Sequence, residues 1–86
     1  MSCIIERLAC PHDVLILRVS GHISGEHVET LKALIEHEHC GVAIDLGDVI
    51  FVDREAVKLL ALSEMKGIAL RNCPALIREQ VNRERA

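Results

Sequence analysis

The chain has 86 residues, half of them apolar, and a formal net charge of −3 from 10 basic and 13 acidic side chains. One domain, residues 1–86, is the expectation for this length, with only about 60–65% of the unfolded surface buried. The charge balance excludes a general phosphate-backbone binder, and a lone aromatic residue, Phe51, excludes base stacking on Phe, Tyr or Trp, so nucleic acid is not an expected partner.

Cys3–Leu8 reads as a short strand, interrupted in its apolar character by Glu6 and Arg7. Pro11-His12-Asp13 is a turn, and Val14–Ser20 is a strand, so the first two strands form an antiparallel pair. Gly21 stops that strand. Ser24-Gly25 opens a helix whose apolar face is Val28, Leu31, Leu34 and Ile35, and which runs out in Glu36-His37-Glu38-His39. Cys40–Leu46 is a buried type of strand with Gly47-Asp48 as its exit turn. Val49–Val52 leads into Asp53, a good N-cap, and Arg54–Lys66 is a helix apolar at 56, 57, 59–62 and 65, hence buried over a wide face. Gly67 ends it. Ile68–Arg71 is a last short strand, and Asn72-Cys73-Pro74 turns into a final helix facing inward through Ile77 and Val81 with Leu76 beside them. An antiparallel pair followed by strand–helix alternation predicts an α/β fold: a mixed sheet of about four strands with helices mainly on one face.

The four cysteines, Cys3, Cys10, Cys40 and Cys73, make no CxxC pair. No basic stretch precedes a long apolar run at the start, and no apolar stretch approaches the roughly 20 residues that span a bilayer. The expectation is a cytoplasmic chain with four reduced thiols, no disulfide and no membrane association. His37, His39 and Cys40 are the densest group of candidate metal ligands, but no second Cys pair supports them, and no metal is expected there. Asp45, Asp48 and Asp53 cluster around one strand end without a Gly-rich phosphate loop, and no Ser-His-Asp or Cys-His signature is recognisable, so no catalytic residue is assigned. Ser24 and Ser63 are candidate phosphoacceptors only in the sense that any exposed Ser is. The arginines of the tail, Arg71, Arg78, Arg83 and Arg85, read as a solvated face.

Three stretches carry a family resemblance. Leu17-Arg18-Val19-Ser20-Gly21-His22-Ile23-Ser24 resembles the strand-then-Gly opening of STAS domains, the anti-sigma-factor antagonist family. Val42–Asp53 (Val-Ala-Ile-Asp-Leu-Gly-Asp-Val-Ile-Phe-Val-Asp) is similar to their central strand and following loop, and Leu70–Pro74 to their last strand and entry to the last helix. The resemblance covers roughly residues 13 to 82. It implies a STAS-like fold and a regulatory, non-enzymatic, cofactor-free module that docks to a protein partner, a kinase-like ATPase anti-sigma factor. In that family a Ser directly after the Asp is phosphorylated, releasing the partner. By position that Ser falls on Arg54, the next residue on Glu55 and the family Gly on Ala56, so Asp53 is kept and the phosphoacceptor is absent. The expected partner surface is Asp53, Arg54 and Glu55 with Asp48 and Ser24. Arg54, on the unfavourable end of the helix dipole, could equally be a surface cation neutralised by Asp48, Asp53 or Glu55. A constitutive scaffold or self-associating subunit, including a homodimer, is the alternative role. An aspartate- or metal-based enzyme comes after both.

Overall fold

In the computed structural model, which describes residues 3–8, 14–38 and 41–85, the chain runs β1 (Cys3–Leu8), β2 (Val14–Ile23), α1 (Gly25–Glu36), β3 (Gly41–Val52), α2 (Arg54–Met65), β4 (Ala69–Arg71) and α3 (Ala75–Arg85). The sheet order is β1-β2-β3-β4. β1 pairs with β2 antiparallel; β2–β3 and β3–β4 are parallel. The mixed four-stranded sheet expected from the sequence is therefore present. All three helices contribute to one core with the sheet: Leu31 from α1, Ala56, Val57, Leu59, Leu60 and Ala61 from α2, Ile77 and Val81 from α3, against Val19, Ile23, Ile44, Leu46, Val49 and Val52.

Period-two alternation sets β2. Leu15, Leu17 and Val19 are buried on the helix side while Arg18 faces out. Gly21 does not end this strand. It adopts φ 89°, a left-handed conformation natural to glycine, and β2 continues to Ile23. Nor does Gly47-Asp48 end β3. The register steps from Arg18↔Asp45 to Ser20↔Asp48, so β3 takes one residue more than β2 and bulges. The Gly47 N–H, which a turn would have freed, donates to Asp45 Oδ1 at 2.9 Å. A second shift, between Gly21↔Val49 and His22↔Phe51, leaves Ile50 without a partner residue on β2. With two bulges the positions of β3 buried against the helices fall at 44, 46, 49 and 52, a spacing of two, three and three, and Ala43 is buried as well.

Leu62 and Met65 of α2 are exposed, not buried as their pattern suggests, and Leu76 on α3 is also exposed. Leu34 is only half-buried and stands outside the core. α2 ends at Gly67, whose φ of 95° reverses the chain. Ser63, one of the two candidate phosphoacceptors, is buried and donates its hydroxyl to the Leu59 carbonyl at 2.8 Å. It is inaccessible in the folded chain.

The basic tail is partly a clamp. Arg78 donates to both carboxylate oxygens of Glu64 at 2.8 Å, and Arg85 adds a third bond at 2.6 Å, tying α3 to α2. The Arg78 hydrogen bond, supported by Arg85, holds the Glu64 carboxyl below its ordinary range. A depressed carboxyl stabilises the fold above the unfolded carboxyl pKa of about 4.3, and loses that contribution as pH falls through the folded value. We therefore expect Glu64→Gln to lower the melting temperature at pH 7 and to narrow its gap to wild type below pH 4, measured by thermal melts across that range. A constant gap would contradict the assignment.

The turn expected at Pro11-His12-Asp13, Cys10, and the candidate ligands His39 and Cys40 lie outside the described residues. His37 caps the C-terminus of α1 and is exposed. Among the described residues no three His, Cys, Asp or Glu side chains converge as a metal site. Cys3 and Cys73 are free thiols, and burial pushes both up in pKa. No helix among the described residues is long and apolar enough to cross a membrane.

Candidate functional site

β2 and β3 run parallel, so they end together and α1 and α2 begin side by side. Ile23 and Val52, the last residues of the two strands, are Cα partners. Asp53 follows, and its backbone N–H donates to the Ile23 carbonyl at 3.0 Å. Its carboxylate is shared between two helix starts. Oδ1 accepts from the Ala56 N–H of α2 at 2.9 Å, and Oδ2 accepts from the Gly25 N–H of α1 at 2.7 Å. One side chain thus caps its own helix and a helix 28 residues earlier. The positive ends of both helix dipoles are met by a carboxylate the chain itself supplies.

Ser24 precedes α1. Its N–H donates to His27 Nδ1 at 3.1 Å, and its hydroxyl lies 3.1 Å from the same nitrogen. The bond from the backbone makes Nδ1 an acceptor, which assigns the ring proton of a neutral His27 to Nε2. Ser24 is half-buried and engaged within the α1 start.

Arg54 and Glu55 form the first turn of α2, both exposed. Glu55 lies along the start of α1: its Cγ is 3.6 Å from where a side-chain Cβ on Gly25 would sit. Arg54 makes no ion pair with Asp48, Asp53 or Glu55, contrary to the neutralised-cluster expectation. Asp48 turns instead to Arg18, at 3.7 Å. Of the five expected site residues, Ser24, Asp53, Arg54 and Glu55 gather where the two helices begin, and Asp48 does not join them by any bond.

The three aspartates suggested as a cation cluster are committed separately. Asp45 accepts from Gly47 and from Asn72 Nδ2 at 3.2 Å, Asp48 faces Arg18, and Asp53 caps two helices.

Sequence reasoning missed the apolar part of this end. Ile50 is 76% exposed and Phe51 51% exposed, immediately before Asp53. The bulge that unpairs Ile50 also puts both side chains outside the core. Phe51 packs against His22, ring centroids 5.8 Å apart and planes tilted by 44°. The His22 Nδ1 is buried with no hydrogen-bond partner among the described residues. The available signal was the four-residue apolar run Val49–Val52 ahead of an N-cap, too continuous for a strand with one wet face.

No family model matches the sequence, and no curated protein matches it. Solved structures do. The chain is similar to the anti-sigma factor antagonist SpoIIAA in its unphosphorylated form, with a TM-score of 0.68 at 16% identity over 88% of this chain and 79% of that one. It is also similar to an anti-sigma-factor antagonist STAS domain from Rhodobacter sphaeroides, at a TM-score of 0.60 and 19% identity over 98% and 91% of the two chains. A DUF3478-family protein with a SpoIIAA-like fold from Shewanella loihica PV-4 gives 0.59 at 17% identity, over 86% and 69%. At these identities the likeness establishes the fold, a SpoIIAA-like, STAS type of fold.

Proposed function

We infer that the chain is a regulatory protein-binding module of the anti-sigma-factor antagonist kind, without catalysis or cofactor, working in the cytoplasm. Its partner is a kinase-like ATPase anti-sigma factor, and the docking surface is Arg54 and Glu55 with Ile50, Phe51 and Ser24 around them. Asp53 holds that surface in place from behind. The observation carrying this reading is the exposed pair Ile50 and Phe51 beside two exposed charges, Arg54 and Glu55, at the helix start, in a fold shared with SpoIIAA. Apolar anchors ringed by charge are what a protein partner recognises.

The same end argues for constitutive binding. Arg54 offers no hydroxyl, and Asp53 already places a carboxylate at both helix starts. A phosphoryl group would add a further charge of about −1.5 to −2 there. The test mixes the chain with the purified ATPase partner and ATP, following complex by gel filtration and phosphoryl transfer by intact mass. The complex should persist with no mass gain. Release of the partner with phosphoryl incorporation at Ser24 would contradict the constitutive reading; no complex even without ATP would contradict the partner itself.

A further inference from the structure

All three helices pack on one face of the sheet; on the opposite face the register sorts the side chains into rows, within which Ala43 is buried. One row crosses all four strands as Leu8, Ile16, Ala43 and Ala69. The next crosses as Glu6, Arg18, Asp45 and Arg71. Its charges alternate from β1 to β4: negative, positive, negative, positive. Glu6, Arg18 and Arg71 are exposed and Asp45 is half-buried.

Such a row is the opposite of itself when read from the other end. Let a second copy be turned by 180° about an axis parallel to the strands, midway between β2 and β3, and laid face to face. Glu6 then opposes Arg71 of the second copy, and Arg18 opposes its Asp45, each pairing occurring twice as two-fold symmetry requires. The neighbouring row is complementary in size. Leu8 meets Ala69, large against small, and Ile16 lies over Ala43, which is already buried in its own chain. In the row beyond, Ser20 meets Asp48, so no like charges are opposed.

We propose that this face is a self-complementary interface whose occupant is a second copy of this chain, joined sheet to sheet. Packed sheets cross at about −30°, which keeps the central Arg18–Asp45 pairs in register and offsets the outer pairs. β4 is three residues long; with about six residues from each of the other three strands, at ~3.3 Å per residue and ~4.8 Å between strands, the face is roughly 330 Å² in plan per copy. That puts the dimer at the small end of specific interfaces, below about 1,200 Å² in total. It is accordingly weak and salt-sensitive, its charges unscreened only at low ionic strength.

Alternating charges would also suit a solvated monomer, because neighbours within the row attract. Charge exchange separates the two accounts. Arg18→Glu alone sets two acidic side chains against each other at the centre of the dimer, and Asp45→Arg alone sets two basic ones. Mixed in equal amounts, the two variants oppose unlike charges at all four positions. Because Asp45 also binds Gly47 and Asn72, and Arg18 pairs with Asp48 of its own chain at 3.7 Å, a second pair avoids both: Glu6→Arg and Arg71→Glu, which clash in their own dimers at the outer positions and complement each other when mixed.

The experiment is sedimentation equilibrium of the full chain from micromolar to millimolar concentration, at low and high salt, with thermal melts confirming that each variant folds. Wild type should dimerise reversibly and at least about tenfold more weakly at high salt. Each single variant should dimerise at least about tenfold more weakly than wild type, and each mixture should recover a 1:1 heterodimer. A wild-type chain monomeric at millimolar concentration in low salt would overturn the proposal. So would folded variants that gain nothing on mixing.

Discussion

Asp53→Ala lowers the stability of this domain by about 2–3 kcal/mol, since a lost N-cap costs typically about 1 kcal/mol and this carboxylate also faces two helix dipoles. A single surface aspartate would cost far less. The double cost follows from the two bonds, to Gly25 at 2.7 Å and to Ala56 at 2.9 Å. For a domain of this size the melting midpoint falls on the order of 10–20 °C. Asp53→Asn should cost less, because the amide keeps one acceptor oxygen but offers a donor where the second acceptor is needed. Denaturant unfolding of both variants measures this. A cost for Asp53→Ala under 1 kcal/mol would mean that Asp53 caps one helix or none.

Phe51→Ala weakens partner binding by about 30-fold or more, the effect of losing an interface anchor worth at least about 2 kcal/mol. Ile50→Asp should do at least as much, because it puts a charge where the partner's apolar surface closes. Neither should unfold the chain. Ile50 has no partner residue on β2 and Phe51 is half exposed, so little buried area is lost with either. Titration calorimetry against the ATPase partner gives the affinity, and melting gives the control. A variant that binds normally would remove these two residues from the surface. A variant that melts with wild type but does not bind would place the anchor there.

Local chemistry made half of this site legible. Asp53 reads as an N-cap from its place before an apolar helical pattern, and the helix is there. Its bond to Gly25 depends on β2 and β3 ending level, which no local window shows. The same holds for Arg78. Its charge is plain in the sequence, but Glu64 lies in another helix 14 residues away, and only the packing of α3 on α2 makes them a clamp. β3 departs from its local pattern for a different reason. Gly47-Asp48 has the composition of a turn, yet Asp45 takes up the Gly47 N–H, so the strand bulges and runs on to Val52. Once the bulges are placed, the exposure of Ile50 and Phe51 follows from the shifted alternation. The charged row on the face opposite the helices was equally invisible, since its members are spread over four strands and only register aligns them.

The most direct test of the docking surface is the double charge reversal Arg54→Glu with Glu55→Arg. Both side chains are exposed and neither is ion-paired among the described residues, so the fold should melt within about 1–2 °C of wild type. Charge placed against a partner's charge sets encounter rate and specificity, and reversal turns attraction into repulsion. The measurement is the dissociation constant for the ATPase partner, wild type against the reversed pair, at low and moderate salt. The expected result is a loss of at least about tenfold at low salt that shrinks as salt rises. Unchanged affinity in a normally folded variant would contradict it, and would leave Arg54 and Glu55 as solvated charges at the start of a helix.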